Sequence, residues 1–140
     1  MKLEKTNLED CFILSPKMFE DERGTFSETF NAQNFLDQTG IAVAFVQDNE
    51  STSKYGVVRG LHFQTGAHGQ AKLVRVVKGS ALDVVVDLRK GSPSFGKSFS
   101  IVLSGENKKQ LFVPRGFAHG FSVLEDDTVF AYKCDAYYNK

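Results

Sequence analysis

A chain of 140 residues is long enough for one domain that buries roughly two-thirds of its unfolded surface. Its 17 Lys and Arg balance 17 Asp and Glu with no basic run, which argues against nucleic acid or an anionic membrane as the main partner. The opening MKLEKTNLED lacks the apolar core of a secretory leader, and no apolar run is long enough to span a bilayer, so a cytoplasmic protein is expected.

The first predicted element is the short apolar run Cys11 to Leu14, closed by Ser15-Pro16. Glu20 to Gly24 is a polar turn. In TFSETF (25–30), alternation puts Phe26, Glu28 and Phe30 on one face, the pattern of an edge strand whose acid reaches water. Asn31 to Gly40 is the one convincing helix: Asn31 can cap it, Ala32, Phe35 and Leu36 form a short apolar stripe, and Gly40 can stop it. Ile41 to Val46 reads as a strand, with Gln47-Asp48-Asn49 as a polar turn at its end.

Val57 to Gln64 is the next strand. Strict alternation would turn Arg59 and His62 to opposite faces, but Gly60 between them permits a bulge that re-aims one. TGAHGQ (65–70) is a loop that leaves His68 exposed. Lys72–Val77 and Ala81–Leu88 are strands joined by a tight hairpin at Lys78-Gly79-Ser80. Lys72, Val74 and Val76 share a face of the first; Ala81, Asp83, Val85 and Asp87 share a face of the second. After the loop RKGSPSFGK (89–97), Ser98–Leu103 alternates Phe99, Ile101 and Leu103 against Ser98, Ser100 and Val102. Gln110–Val113 is a strand ending at Pro114. PRGFAHGF puts His119 in a glycine-flanked turn before a strand from Phe121 to Leu124. In the last strand, Thr128–Cys134, Thr128, Phe130, Tyr132 and Cys134 share a face.

Many short strands, frequent turns, an aromatic-rich composition (13 Phe) and one early helix point to an antiparallel sandwich or barrel. No long helical crossovers separate the strands, which argues against a parallel sheet.

Arg59, His62, Lys72, Asp83 and Asp87 interrupt apolar strands. Charge on inward positions is costly to bury unless it meets a ligand or a partner. If the faces of His62, Lys72, Asp83, His119 and Tyr132 point inward, these groups converge. A histidine can take a proton from carbon acidified by an adjacent carbonyl, a lysine or second histidine can stabilise the enolate oxygen, and a tyrosine on the opposite wall can return a proton. That chemistry is epimerisation or isomerisation beside a ketone without a cofactor. His119 also fits an ordinary surface histidine, and Tyr132 a core aromatic with a satisfied hydroxyl. A metal site is the competing reading, but His62-Phe63-Gln64 stands where a metal-binding cupin shows His-x-His, and Cys11 and Cys134 match no metal spacing. Both cysteines are expected to be reduced. A serine nucleophile finds no Gly-x-Ser-x-Gly, and Cys134 has no assigned base.

The segments FVQDN (45–49), GVVRGLHFQ (56–64), KLVRVVKG (72–79), DVVVDLRKGSPSFGK (83–97), ENKKQLFVPRGFAHGF (106–121) and FAYKCDAYY (130–138) stand in register and together closely resemble the dTDP-4-dehydrorhamnose 3,5-epimerases. That resemblance implies a cofactor-independent, homodimeric enzyme with a cupin-type antiparallel β-sandwich, or jelly-roll, acting on a dTDP-linked 4-keto-6-deoxy sugar in dTDP-rhamnose biosynthesis. It implies His62 as catalytic base and Tyr132 as acid. Lys72 and His119 match contacts near the sugar, and Arg59 a contact to the sugar or diphosphate. Arg23, Glu28, Gln47 and Asn49 match contacts at the nucleotide end, the N-terminal ones reaching across the dimer, and Tyr138 matches the aromatic that stacks on thymine. Residues 1–140 read as a single domain. Members of the family usually continue beyond Tyr138 into a tail that supplies an acid to orient the catalytic histidine, and Asp83 is the residue within this chain that could take that part. A single-carbon epimerase and a non-catalytic nucleotide-sugar-binding cupin are the alternatives.

Overall fold

A computed structural model describes residues 1–138. Among these residues lie twelve strands in chain order, β1 Lys2–Lys5, β2 Phe12–Ser15, β3 Met18–Asp21, β4 Gly24–Ser27, β5 Gln47–Ser53, β6 Val58–His62, β7 Lys72–Lys78, β8 Ser80–Asp87, β9 Ser98–Ser104, β10 Gln110–Val113, β11 Phe117–Val123 and β12 Thr128–Cys134, with one α-helix, α1 Ala32–Thr39, and a 3₁₀ turn at Gly66–His68. They form a six-stranded sheet in the order β1-β2-β10-β7-β12-β5, a four-stranded sheet β6-β11-β8-β9 and a separate hairpin β3-β4. All pairings are antiparallel. No helix among the described residues is long and apolar enough to cross a membrane.

The core lies between the two large sheets because the alternation of each strand sends its apolar set there. Val74 and Val76 of β7, Ala81 and Val85 of β8, Leu103 of β9, Phe121 and Val123 of β11 and Phe130 of β12 fill it. The rings of Phe121 and Phe130 stack across it, centroids 3.9 Å apart. A second cluster sits on the outer face of the six-stranded sheet, where Phe35 of α1 covers Phe12, Leu14, Leu73 and Phe112. Phe35 has no exposed surface. The helix has the predicted ends: the Asn31 side chain accepts from the backbone N–H of Asn34, and Gly40, at φ 73°, donates to the carbonyl of Leu36.

Several elements differ from expectation. The Lys78-Gly79-Ser80 turn is no hairpin: β7 pairs with β10 and β12, β8 with β9 and β11, so the chain steps from one sheet to the other there. Both strands are buried on their core face, and each finds its partners in its own layer. Ile41–Val46 forms no ladder, since Ile41, Val43 and Phe45 pack on the α1 cluster instead. The polar segment after it is the strand, β5, paired along its whole length with β12. The sequence before Cys11 adds β1, an edge strand on β2. β4 ends at Ser27, so Phe26, Glu28 and Phe30 do not share a strand face: Phe26 is 70% exposed, whereas Phe30 packs against Phe35 and Phe45.

His119 lies within β11, buried, and not in a turn. Gly120 serves close packing. A Cβ on it would stand 2.7 Å from the carbonyl oxygen of Arg59, and a Cβ on Gly60 would stand 2.7 Å from the Cα of Gly120. Only two glycines let β6 and β11 approach this closely.

Candidate active site

β6 carries Arg59 and His62 along the edge of the four-stranded sheet. His62 pairs with His119 of β11, and Arg59 with Phe121, so three steps along β6 answer two along β11. The extra residue is a β-bulge at the predicted glycine. It turns both side chains toward the facing sheet: Nε of Arg59 donates to Oγ of Ser53 on β5 at 3.1 Å, and His62 lines a cleft at the open end of the sandwich.

That cleft, of about 730 Å³, is lined by Gln47 and Asn49 of β5, His62 of β6, Lys72 of β7, Tyr132 of β12 and Tyr138 beyond it, among others. Lys72 opens β7 on its core-facing side, and its ammonium stands 5.4 Å from the centroid of the Tyr132 ring. Burial lowers the pKa of Lys72, against the opposing charges of Cys134 and Asp83. Burial raises that of Tyr132, with Cys134 adding to the rise and Arg59 opposing it. Burial thus disfavours the charged form of each, the ammonium of Lys72 and the phenolate of Tyr132.

At the other end of the cleft the side chains form a chain of hydrogen bonds. Nε2 of Gln47 donates to Oδ1 of Asn49 at 3.0 Å, and Oε1 of Gln47 accepts the backbone N–H of Tyr138 at 3.2 Å. Asn49 in turn points its amide at Sγ of Cys134, 3.7 Å away. Tyr138 is thereby held at the rim with 65% of its surface exposed.

His119 and Asp83 lie behind this lining. Nε2 of His119 is 2.6 Å from Oδ1 of Asp83 on the neighbouring strand β8, and Asp83 has no exposed surface. Burial raises the pKa of Asp83, against the opposing pull of His119 and Lys72. The sequence reading gives Asp83 the part of orienting His62; instead its alternation on β8 sends it into the interior, where His119 is the ring it meets.

Arg23 and Glu28 are not in the cleft. Arg23 sits at the turn of the β3-β4 hairpin, ion-paired with Asp21, and Glu28 follows β4, accepting from Nδ2 of Asn31 at 3.3 Å. Among the described residues, no three of the His, Cys, Asp and Glu side chains group as a metal site.

The family model described as dTDP-4-dehydrorhamnose 3,5-epimerase matches residues 5–140. The chain belongs to the dTDP-4-dehydrorhamnose 3,5-epimerase family. The chain is 52% identical to the dTDP-4-dehydrorhamnose 3,5-epimerase of Shigella flexneri over 140 residues, all of this chain and 77% of that one. A crystal structure of the enzyme from Elizabethkingia anophelis NUHP1 superposes with a TM-score of 0.97 at 58% identity, covering 100% of this chain and 76% of that one. The RmlC structure from Legionella pneumophila in complex with dTDP-4-keto-L-rhamnose gives a TM-score of 0.93 at 48% identity, covering 99% and 73% of the two chains. The sandwich is thus the cupin-like jelly-roll of these isomerases, and the chain is an epimerase of that family.

Sequence reasoning did not single out Phe63, Gln64, Thr65, Gln70 and Phe117, which also line the cleft of this epimerase. His68, expected merely to be exposed, lines it too. Their positions in a loop and at the foot of β11 give no periodic signal. Only the segments GVVRGLHFQ and PRGFAHGF, which enclose Phe63, Gln64 and Phe117, could have marked three of them.

Proposed function

We propose that this chain epimerises C3 and C5 of dTDP-4-dehydro-6-deoxy-D-glucose, giving dTDP-4-dehydro-L-rhamnose, with no metal or organic cofactor. The observation that carries this reading is that His62 and Tyr132, from different sheets, line one cleft. A carbonyl acidifies the C–H bonds beside it because the carbanion is delocalised as an enolate. A base on one wall removes the proton, and an acid on the other returns one to the opposite face, which inverts the carbon. His62 is the base. Tyr132 is the acid, its phenol kept protonated by burial.

Lys72 and His119 hold the sugar and stabilise the enolate oxygen. Arg59 takes the sugar or diphosphate. Gln47 and Asn49 take the nucleotide end, and the exposed ring of Tyr138 stacks on the base. The ligand of the Legionella pneumophila structure, a dTDP-4-keto sugar, supports the substrate class. A nucleotide-linked sugar fits a cytoplasmic site of action.

Arg23 and Glu28 serve the same reaction in a two-fold dimer, where the hairpin of one protomer reaches the nucleotide end of its partner's cleft. The support is the hairpin itself, which pairs only with itself among the described residues and exposes Phe19 and Phe26. A monomer in sedimentation at micromolar concentration contradicts the shared site.

The reaction is tested by incubating the chain with dTDP-4-dehydro-6-deoxy-D-glucose in D₂O. Deuterium at both C3 and C5 of the product supports the proposal. Deuterium at one carbon points to a single-carbon epimerase, and at neither to a binding protein.

A further inference from the structure

Asp83 is a buried carboxylate with only half its hydrogen-bonding capacity used. Oδ1 meets Nε2 of His119 at 2.6 Å, while Oδ2 has no hydrogen-bond partner among the described residues. The side chain has no exposed surface, so no bulk water compensates it. Leaving a buried acceptor unpaired is costly, and a carboxylate more so than a neutral group. Nothing in the fold needs a charge at this position: its neighbours on the same face of β8, Ala81 and Val85, pack as plain core. The group that answers it is His119 on the neighbouring strand β11.

We infer that Asp83 is a positioning residue for the epimerisation, a single buried carboxyl group that fixes the ring of His119 through Oδ1. The inference rests on the epimerase reading above. With Nε2 tied to the carboxylate as an N–H donor, Nδ1 is the only nitrogen of His119 left for the sugar. The Phe121 and Phe130 rings, 6.4 and 6.1 Å from the imidazole, flank it. The carboxyl group acts on the substrate only through His119. The titratable groups around His119 and Asp83 are His62, opposite His119 in register on β6, and Lys72 and Cys11, each coupled electrostatically to Asp83.

Three measurements test this. In the unaltered chain, two-bond ¹H–¹⁵N spectra are expected to show His119 protonated at Nε2, and an Nδ1–H tautomer with a bare Nε2 overturns the assignment. That arm needs no activity and no variant. In Asp83→Asn, kcat is expected to fall about 100-fold, the scale of a misplaced catalytic contact, while dTDP affinity stays within about twofold. In the same variant, those spectra are expected to show His119 no longer held as a single Nε2–H tautomer. An unchanged kcat overturns the inference, and so does a loss of dTDP affinity equal to the loss of kcat, which assigns Asp83 to the fold alone. An unaltered chain that exchanges no deuterium overturns the epimerase reading instead, and the nitrogen spectrum still decides how Asp83 holds His119.

Discussion

The ammonium of Lys72 stands 5.4 Å from the centroid of the Tyr132 ring, so the group assigned to the enolate and the group assigned to the returning proton share one wall of the cleft. The contact is a cation–π pair and holds both side chains in place before substrate arrives. Burial pulls Lys72 below the usual lysine range and pushes Tyr132 above the usual tyrosine range. A lysine in that state is an ammonium at low pH and is neutralised as pH rises through its lowered pKa. Neutralising Lys72 removes the charge assigned to the enolate, so kcat is expected to decline at alkaline pH. Lys72→Gln is expected to lower kcat by about 10²–10³-fold and to abolish that decline, as read from steady-state rates between neutral and alkaline pH.

A second prediction concerns the bulge that aims His62. Gly120 faces the carbonyl oxygen of Arg59 so closely that a methyl group would stand 2.7 Å from it. Backbone must shift to admit it. Gly120→Ala is expected to destabilise the fold by about 1–3 kcal/mol in urea titrations and to reduce activity further than stability alone explains, because β6 carries both Arg59 and His62. A variant of unchanged stability and activity shows that the close approach is not needed.

Away from the site, Asp87 locks the loop after β8. Its carboxylate accepts from Nε and Nη2 of Arg89 and from the hydroxyls of Ser92 and Ser94, and it has no exposed surface. Burial alone would raise its pKa, but these donors hold it well below the usual carboxylate range. A depressed carboxylate contributes stability that is full above its unfolded pKa of about 3.9 and is lost as pH falls toward the folded value. Asp87→Asn is expected to cost about 3–5 kcal/mol at neutral pH, and to remove much of the difference in stability between neutral and acid solution. Equal acid sensitivity of the two proteins would sink this assignment.

Much of the fold was legible because buried strands alternate cleanly. Ala81, Asp83, Val85 and Asp87 on one side of β8, and Thr128, Phe130, Tyr132 and Cys134 on one side of β12, read directly as shared faces, though not as inward ones. Gly60 between Arg59 and His62 announced the bulge, and Asn31 and Gly40 the helix ends. What was hidden depends on partners distant in sequence. β5 is polar on both faces, so it reads as a turn until β12 pairs with it. A three-residue connection at Gly79 looks the same whether it closes a hairpin or crosses between sheets. The partner of Asp83 follows from the β8–β11 register, which no local pattern encodes. Arg23 and Glu28 lie outside the cleft, and the sequence offered them a role only through family resemblance.

The most direct test sets His62→Asn beside Tyr132→Phe with dTDP-4-dehydro-6-deoxy-D-glucose in D₂O, following deuterium entry and inversion separately. His62→Asn removes the base, so both exchange and inversion should vanish. Tyr132→Phe keeps the ring and removes only the proton donor, so deuterium should still wash into the substrate while inversion is lost. Equal loss of exchange and inversion in the two variants contradicts the separate roles of base and acid, and a fully active His62→Asn contradicts the assignment of His62 altogether.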